Sequence, residues 1–122
     1  MLSTNVFSQL ETLQPNIASK LSLMIGLAQK SADTQLLELC KSYIDAALRH
    51  QQWRQPERPL TEKEQAFTAF TEQFVSSVGT MSDETIERLL QYSSADEVYS
   101  FVNAIYVTDL SCRLELVLGR VL

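Results

Sequence analysis

Apolar residues recur at helical spacing along most of the chain, and the pattern divides into six segments. In the first segment Val6, Leu10 and Leu13 fall on one stripe, which predicts a helix over Thr4–Leu13. Pro15 follows directly, and its ring cannot continue a helix interior, so the first helix should stop before it.

The second segment, from about Asn16 to Lys30, is apolar on two sides. Leu23 and Leu27 oppose a first face that consists of Ile17, Leu21, Met24, Ile25 and Ala28. A helix of this kind is normally sandwiched between other helices or buried in a subunit interface. A bundle of this size has few elements left to cover a second face, and soluble monomers rarely expose a large apolar patch. We therefore expect a homo-oligomer, most simply a dimer.

The third segment opens with a turn and N-cap at Ser31–Thr34, with Asp33 as the capping residue. It predicts a helix from Thr34 to about Gln52, with a wide stripe of Leu36, Leu37, Cys40, Tyr43, Ile44, Ala47 and Leu48. Pro56 and Pro59 cannot continue a helix, so Arg54 to Leu60 should be an extended connector.

Capping signals open each of the last three helices. Thr61 with Glu64 and Ser94 with Glu97 form capping boxes, and Ser82 precedes the short helix between them. Gly79 is a suitable stop for the first of the three. The last helix should run from Ala95 to about Leu118. The apolar residues expected to face inward are Phe67, Phe70, Phe74 and Val78, then Ile86, Leu89 and Leu90, then Val98, Phe101, Val102, Ile105, Leu110, Leu114 and Val117. The pattern predicts one all-α domain over residues 1–122, a bundle of about six helices.

Composition narrows the possible partners. Of the 122 residues 45% are hydrophobic and 20% are charged, and the net charge is −5 with no Lys/Arg cluster, which argues against nucleic acid or an anionic membrane as partner. No run of 18 apolar residues predicts a membrane span. The first residues lack the basic and apolar regions of a signal peptide, so we expect a cytoplasmic location. Cys40 and Cys112 lie too far apart to suggest a metal-type pair.

The order and spacing of markers in the second half resemble those of a known family. Trp53 precedes the connector, Leu60-Thr61-x-x-Glu64 opens a helix, Thr71-Glu72 follows, and the last helix contains Ala104–Gly119. This pattern resembles the C-terminal half of the carboxymuconolactone decarboxylase / alkylhydroperoxidase D-like family. The resemblance implies that family's helical scaffold and its association through helices. It covers about half of the chain, and Asp109 and Cys112 stand where the family usually has asparagines.

The family's active motif, Cys-x-x-Cys-x-x-x-His, is absent from this chain. The best placement puts its first cysteine at Cys40, where Tyr43 then replaces the second cysteine and Ala47 replaces the histidine. A second placement, near Gly26–Asp33, meets no Cys or His. Dithiol peroxidase chemistry needs a thiolate, a resolving thiol and a proton relay. The resemblance thus implies the scaffold and argues against the peroxidase or decarboxylase reaction, and no cofactor is implied.

Three residues are candidates for chemistry, and each has a structural alternative. Cys40 is either a small buried hydrophobe or a redox-active thiol. His50, near the end of the third helix, is either a surface or capping residue or a general base. Arg113 either pairs with Asp109 four residues earlier or anchors a ligand carboxylate. The carboxylates show no spacing typical of a metal site.

Two hypotheses about function remain open, besides a generic helical adaptor whose resemblance is accidental. The first is a non-catalytic scaffold that acts through self-association or a protein partner. The second is an enzyme or small-ligand binder with a rebuilt pocket between the third and last helices, using Cys40, His50 or Arg113. Tyr43, Tyr99 and Tyr106 are expected to be core or interface aromatics rather than pocket residues.

Overall fold

A computed structural model describes residues 4–31 and 33–121, with the side chains of 5–27 and 33–121. Within these ranges every regular element is helical and there is no strand, which confirms the predicted all-α bundle. The six helices are α1 Thr4–Leu13, α2 Pro15–Ser31, α3 Thr34–Leu48, α4 Glu62–Ser77, α5 Asp83–Leu90 and α6 Ala95–Val121, with a 3-10 turn at Val78–Thr80. Residues 51–61 have neither helix nor strand and form the predicted connector.

The predicted helix starts are confirmed in atomic detail. The Asp33 carboxylate accepts from the amide of Leu36 at 3.1 Å. Thr61 and Glu64 exchange hydrogen bonds of 2.9 and 3.1 Å, and Ser94 and Glu97 do the same at 3.1 and 3.2 Å. Each such cap satisfies backbone amides that the helix itself cannot pair, and contributes about 1 kcal/mol.

The end of α3 differs from the prediction, because the helix stops at Leu48 rather than near Gln52. His50 has a φ of 56°, in the left-handed region. Its amide donates to the Ala47 carbonyl at 3.2 Å, and the Gln51 amide donates to Ala46 at 2.8 Å. These two bonds are those of a Schellman motif, in which the left-handed position usually belongs to glycine. The prediction of a longer helix was wrong because a histidine occupies that position.

Gly79 does not act as the left-handed stop of α4. The helix does end shortly before it, at Ser77, but Gly79 lies inside the 3-10 turn, and among the described residues no glycine has a positive φ. The turn continues the helical path for three more residues with the tighter winding of a 3-10 helix, and Gly79 does not adopt the left-handed conformation.

The long helix α6 is the centre of the bundle. It packs against α3 on one side and α2 on another, while α4 packs on α3 and α5 packs on α4. Where α4 meets α6, the ring of Phe101 contacts Phe67 edge-to-face at 4.7 Å between centroids, with Phe70 at 6.2 Å. Ile44 and Leu89 are fully buried beside them. The core therefore lies between α3, α4, α5 and α6, with α1 and α2 at its edge.

Several apolar residues expected to face inward are exposed instead. They are Leu13, Ile17, Met24, Val78, Leu90 and Val117. On α2 the buried side consists of Ala18 and Leu21, with Ile25 half-buried, so the helix is rotated relative to the predicted face. Ala28 was predicted to lie on the same face, but its side chain lies outside the described part of the structure. In the described chain α2 packs mainly on α1 and α6, and its outward side is exposed.

Candidate functional site

Cys40 lies in the middle of α3 with no exposed surface, against α4. Burial raises the pKa of its thiol to about 11. The hydroxyls of Thr71 and Thr68 offset only part of this effect, because both direct their protons to the α4 backbone, at 2.8 Å from Phe67 O and 2.7 Å from Glu64 O. The thiol is therefore held neutral, as expected for a core residue and opposite to what a redox nucleophile requires.

The neighbours of Cys40 do not supply a replacement for the missing motif residues. Tyr43, one turn along α3, packs edge-to-face on Trp53 with 5.3 Å between ring centroids. The Trp53 indole donates to the Ser42 hydroxyl at 3.0 Å, and Ser42 donates to the Leu39 carbonyl at 2.6 Å. These contacts fasten the connector to α3, so Tyr43 and Trp53 serve structure at this point.

The second thiol, Cys112, is buried on α6, and the two cysteines form no disulfide. Its pKa is raised, first by burial and then by the charge of Asp45 on α3. Both cysteines thus lie in environments that disfavour the thiolate, which is the reactive form.

Arg113 is engaged in a structural contact. Its Nε donates to Asp109 Oδ2 at 2.9 Å, which confirms the predicted pairing along α6. Its Nη2 lies 3.5 Å from the Val75 carbonyl near the end of α4, so the side chain links the two helices. The other carboxylate oxygen, Asp109 Oδ1, is buried and has no hydrogen-bond partner in the described part of the chain. The Arg113 side chain is about half exposed.

His50 is exposed and lines a groove of about 650 Å³ between the C-terminal ends of α3 and α6. The groove combines cationic and apolar side chains, among them Leu48, Arg49, Leu116, Val117 and Arg120. Arg49 is held by Asp45 at 3.0 Å. A second groove of about 800 Å³ lies beside Trp53 and is lined mostly by polar side chains of residues 51–55 and of α3.

The three candidate residues do not converge on one site. Cys40 is enclosed in the core, Arg113 joins α6 to α4, and the groove beside His50 is lined by neither of them. A catalytic site would place its nucleophile, base and electrostatic partner within hydrogen-bond reach of one another or of a shared substrate position. The geometry gives a joint site of these residues no support.

Sequence reasoning missed a set of small hydroxyl residues inside the bundle. Thr71, Thr108 and Ser111 have no exposed surface, and Thr68 is nearly as buried. Three of them donate to a carbonyl four residues earlier, whereas the Thr108 hydroxyl has no partner among the described residues. The sequence shows these polar residues at core positions of the helical stripes. Spacing alone does not show which of their hydroxyls have a hydrogen-bond partner.

Among the residues that the structure describes, no group of three or more His, Cys, Asp or Glu side chains could hold a metal ion. None of the helices in this part of the chain has the length and hydrophobicity needed to cross a membrane.

Comparison of the chain with models of protein families, with curated proteins and with solved structures finds no match. The resemblance to the alkylhydroperoxidase D-like family therefore stays a prediction that rests on the markers in the sequence. The confirmed finding is the architecture, an all-α bundle with its chemistry-bearing residues dispersed.

Proposed function

We propose that this protein is a non-catalytic helical scaffold that works through self-association, with the outward side of α2 as the contact surface. This surface, called the α2 face here, consists of Ile17, Leu23, Met24 and Leu27. Their exposed fractions are 55%, 64%, 38% and 59%. The single observation that supports the proposal is this contiguous apolar face on a helix whose opposite side is buried.

The α2 face has the shape of a helix-packing stripe. Its four side chains fall within an arc of about 120° around the helix, given 3.6 residues per turn. Lys20 lies within the same arc and can place its ammonium at the rim while its methylene stem covers apolar surface. Fully burying a Leu, Ile or Met side chain contributes about 1.5–3 kcal/mol, so covering half of each contributes about 1 kcal/mol. Four such residues on each copy contribute about 8 kcal/mol of burial, from which the cost of association has to be subtracted.

The state of Cys40 supports the non-catalytic part of the proposal. A peroxidase of the dithiol type needs an accessible thiolate and a resolving thiol, and Cys40 is buried, protonated and unpaired with Cys112. We expect no turnover of alkyl hydroperoxide in a dithiol-coupled assay. Turnover that disappears in Cys40→Ser but persists in Cys112→Ser would overturn this part of the proposal.

The location of the contact surface is tested with two matched variants. Leu23→Glu places a charge on the α2 face, near the middle of its length along the helix, whereas Ser22→Glu places the same charge at an exposed position outside that face. Light scattering should show a smaller mass, or assembly only at higher concentration, for Leu23→Glu. Ser22→Glu should match the wild type. Equal masses for the wild type and both variants would show that the α2 face makes no contact.

A second candidate function is small-ligand binding in the groove beside His50. The observation in its favour is that Arg49, His50 and Arg120 line the same groove as Leu116 and Val117, a combination suited to an acid with an apolar tail. Medium-chain fatty acids are a direct probe. Saturable binding by calorimetry that Arg120→Gln weakens at least tenfold would favour this function, and heats no larger than dilution would remove it.

A further inference from the structure

The exposed side of α6 repeats with the spacing of a coiled coil. The residues along this side follow one another at intervals of four and three positions, and they are Tyr99, Asn103, Tyr106, Leu110, Arg113 and Val117, of which Leu110 is half-buried and the others are exposed. These six residues are called the α6 seam here. Tyr99 is 70% exposed and Tyr106 is 57% exposed. Intervals of four and three place residues in a line along one face of a helix, which is the geometry along which two helices can pair.

The seam is narrow because the rest of α6 belongs to the core. Phe101, Ala104, Ile105, Thr108 and Cys112 lie on its other side and are buried. The residues that flank the seam are half-buried for the most part, so the bundle itself already covers the shoulders of the helix. What remains exposed is the stripe that a second helix would contact.

We infer that the α6 seam pairs with the same seam of a second copy in antiparallel orientation, about a two-fold axis near residue 108. In this register Tyr99 faces Val117 of the second copy, and Tyr106 faces Leu110. The two polar seam residues also meet, since Asn103 faces Arg113. Every apolar residue thus opposes an apolar one, and each amide oxygen opposes a guanidinium.

Arg113 can make this contact while it keeps its own partners. Its Nε is used by Asp109 and its Nη2 approaches the Val75 carbonyl, which leaves the Nη1 hydrogens for the Asn103 amide oxygen of the second copy. Asn103 is exposed and points to the same side of α6. A hydrogen bond to a charged donor is stronger than one between neutral groups, so this pair fixes the register at two symmetric points.

A parallel arrangement of the same seams is disfavoured by charge. It would place Arg113 opposite Arg113 of the second copy, and two guanidinium groups desolvated at short distance repel. It would also place Asn103 opposite Asn103 of the second copy, so that no amide oxygen would face Arg113. The sequence of the seam therefore selects the antiparallel pairing.

The exposed areas of the two tyrosine side chains allow an estimate of the area that the pairing would bury. With about 200 Å² for each tyrosine side chain, the exposed parts of Tyr99 and Tyr106 amount to about 250 Å² per copy, or about 500 Å² in the pair. Small specific interfaces bury about 1,200 Å² in total. The two tyrosines supply close to half of this area, and Leu110, Arg113 and Val117 contribute to the rest. The pairing is independent of the α2 face.

Disulfide trapping tests the register directly, and it is carried out in the Leu23→Glu background so that contact through the α2 face does not contribute. Two proteins are made, one with Tyr99→Cys and one with Val117→Cys. Antiparallel pairing brings these two positions together, while it places two copies of residue 99 about 27 Å apart along the axis. Mixed and exposed to mild oxidant, the two proteins should form a heterodimer, whereas each alone should remain a monomer on a non-reducing gel.

Each other outcome contradicts the inference in a recognisable way. Self-linked dimers of Tyr99→Cys alone would show parallel pairing. No heterodimer at protein concentrations up to 0.5 mM would show that the seams do not meet. As a second measurement, Asn103→Glu should tighten association at least threefold because the new carboxylate faces Arg113, and Asn103→Arg should weaken it by as much. Circular dichroism of each variant controls for the fold.

Discussion

The reactivity of Cys40 is the sharpest consequence of its burial. The thiolate is the nucleophile, and burial raises the pKa of this thiol from 9.0 to about 11. At pH 8 a thiol with a pKa of 9 is about 10% ionised, whereas one with a pKa of 11 is about 0.1% ionised, because each pH unit is a factor of ten. Ionisation alone therefore lowers the rate about 100-fold, and the closed packing against Thr71 lowers it further.

Peptide-level alkylation measures this effect without any variant. The native protein and the protein in guanidinium chloride are treated with iodoacetamide at pH 8, and mass spectrometry follows the peptides that contain Cys40 and Cys112 separately. We expect native Cys40 to react at least 100-fold more slowly than in the unfolded chain. Alkylation of native Cys40 within tenfold of the unfolded rate would show an accessible thiolate and would refute the assignment of Cys40 to the core.

Four further substitutions probe the fold. His50→Gly should raise stability by about 1 kcal/mol in urea unfolding, because glycine adopts the left-handed conformation without strain, and a loss would contradict the assigned Schellman geometry. Thr108→Val should be neutral or stabilising by up to about 1 kcal/mol, since it removes a buried hydroxyl that has no partner among the described residues, while Thr71→Val should destabilise because the Thr71 hydroxyl is hydrogen-bonded. Arg58 holds the Glu64 carboxylate at 2.7 Å and, with the Thr61 amide, lowers its pKa to about 2. The ionised Glu64 carboxylate stabilises the folded state above the ordinary pKa of a glutamate, and this stabilisation is lost as the pH falls from about 4.5 to 2. Glu64→Gln should therefore make unfolding less dependent on pH in that range, and an unchanged dependence would count against the pair.

The helix boundaries could largely be predicted from the sequence because capping residues and prolines act on the backbone within a few residues of their own position. The capping boxes at Thr61 and Ser94 and the prolines of the connector satisfy or remove backbone hydrogen bonds within a few residues, so their effect does not depend on the rest of the chain. The end of α3 was predicted wrongly for the same reason, because His50 lacks the local signature that glycine would give.

The burial of individual faces could be predicted only in part. The apolar pattern of α2 correctly indicates two apolar sides, but which of them faces the bundle depends on how α1 and α6 pack against it. Ile17 and Met24 therefore turned out to be exposed, and Leu21 buried. The separation of Cys40, His50 and Arg113 likewise depends on how the helices pack against one another. Helical spacing places residues around one helix, but not relative to residues of another.

The mass of the wild-type protein in solution reports directly on the self-association that the exposed α2 face is proposed to serve. Sedimentation velocity over a concentration series from 1 to 200 µM, with the Leu23→Glu variant beside it, gives this mass without immobilisation or labels. We expect a species of at least twice the 13.8 kDa of the chain at the upper concentrations, and we expect Leu23→Glu to shift it toward smaller mass. A single species of 13.8 kDa at every concentration would contradict it.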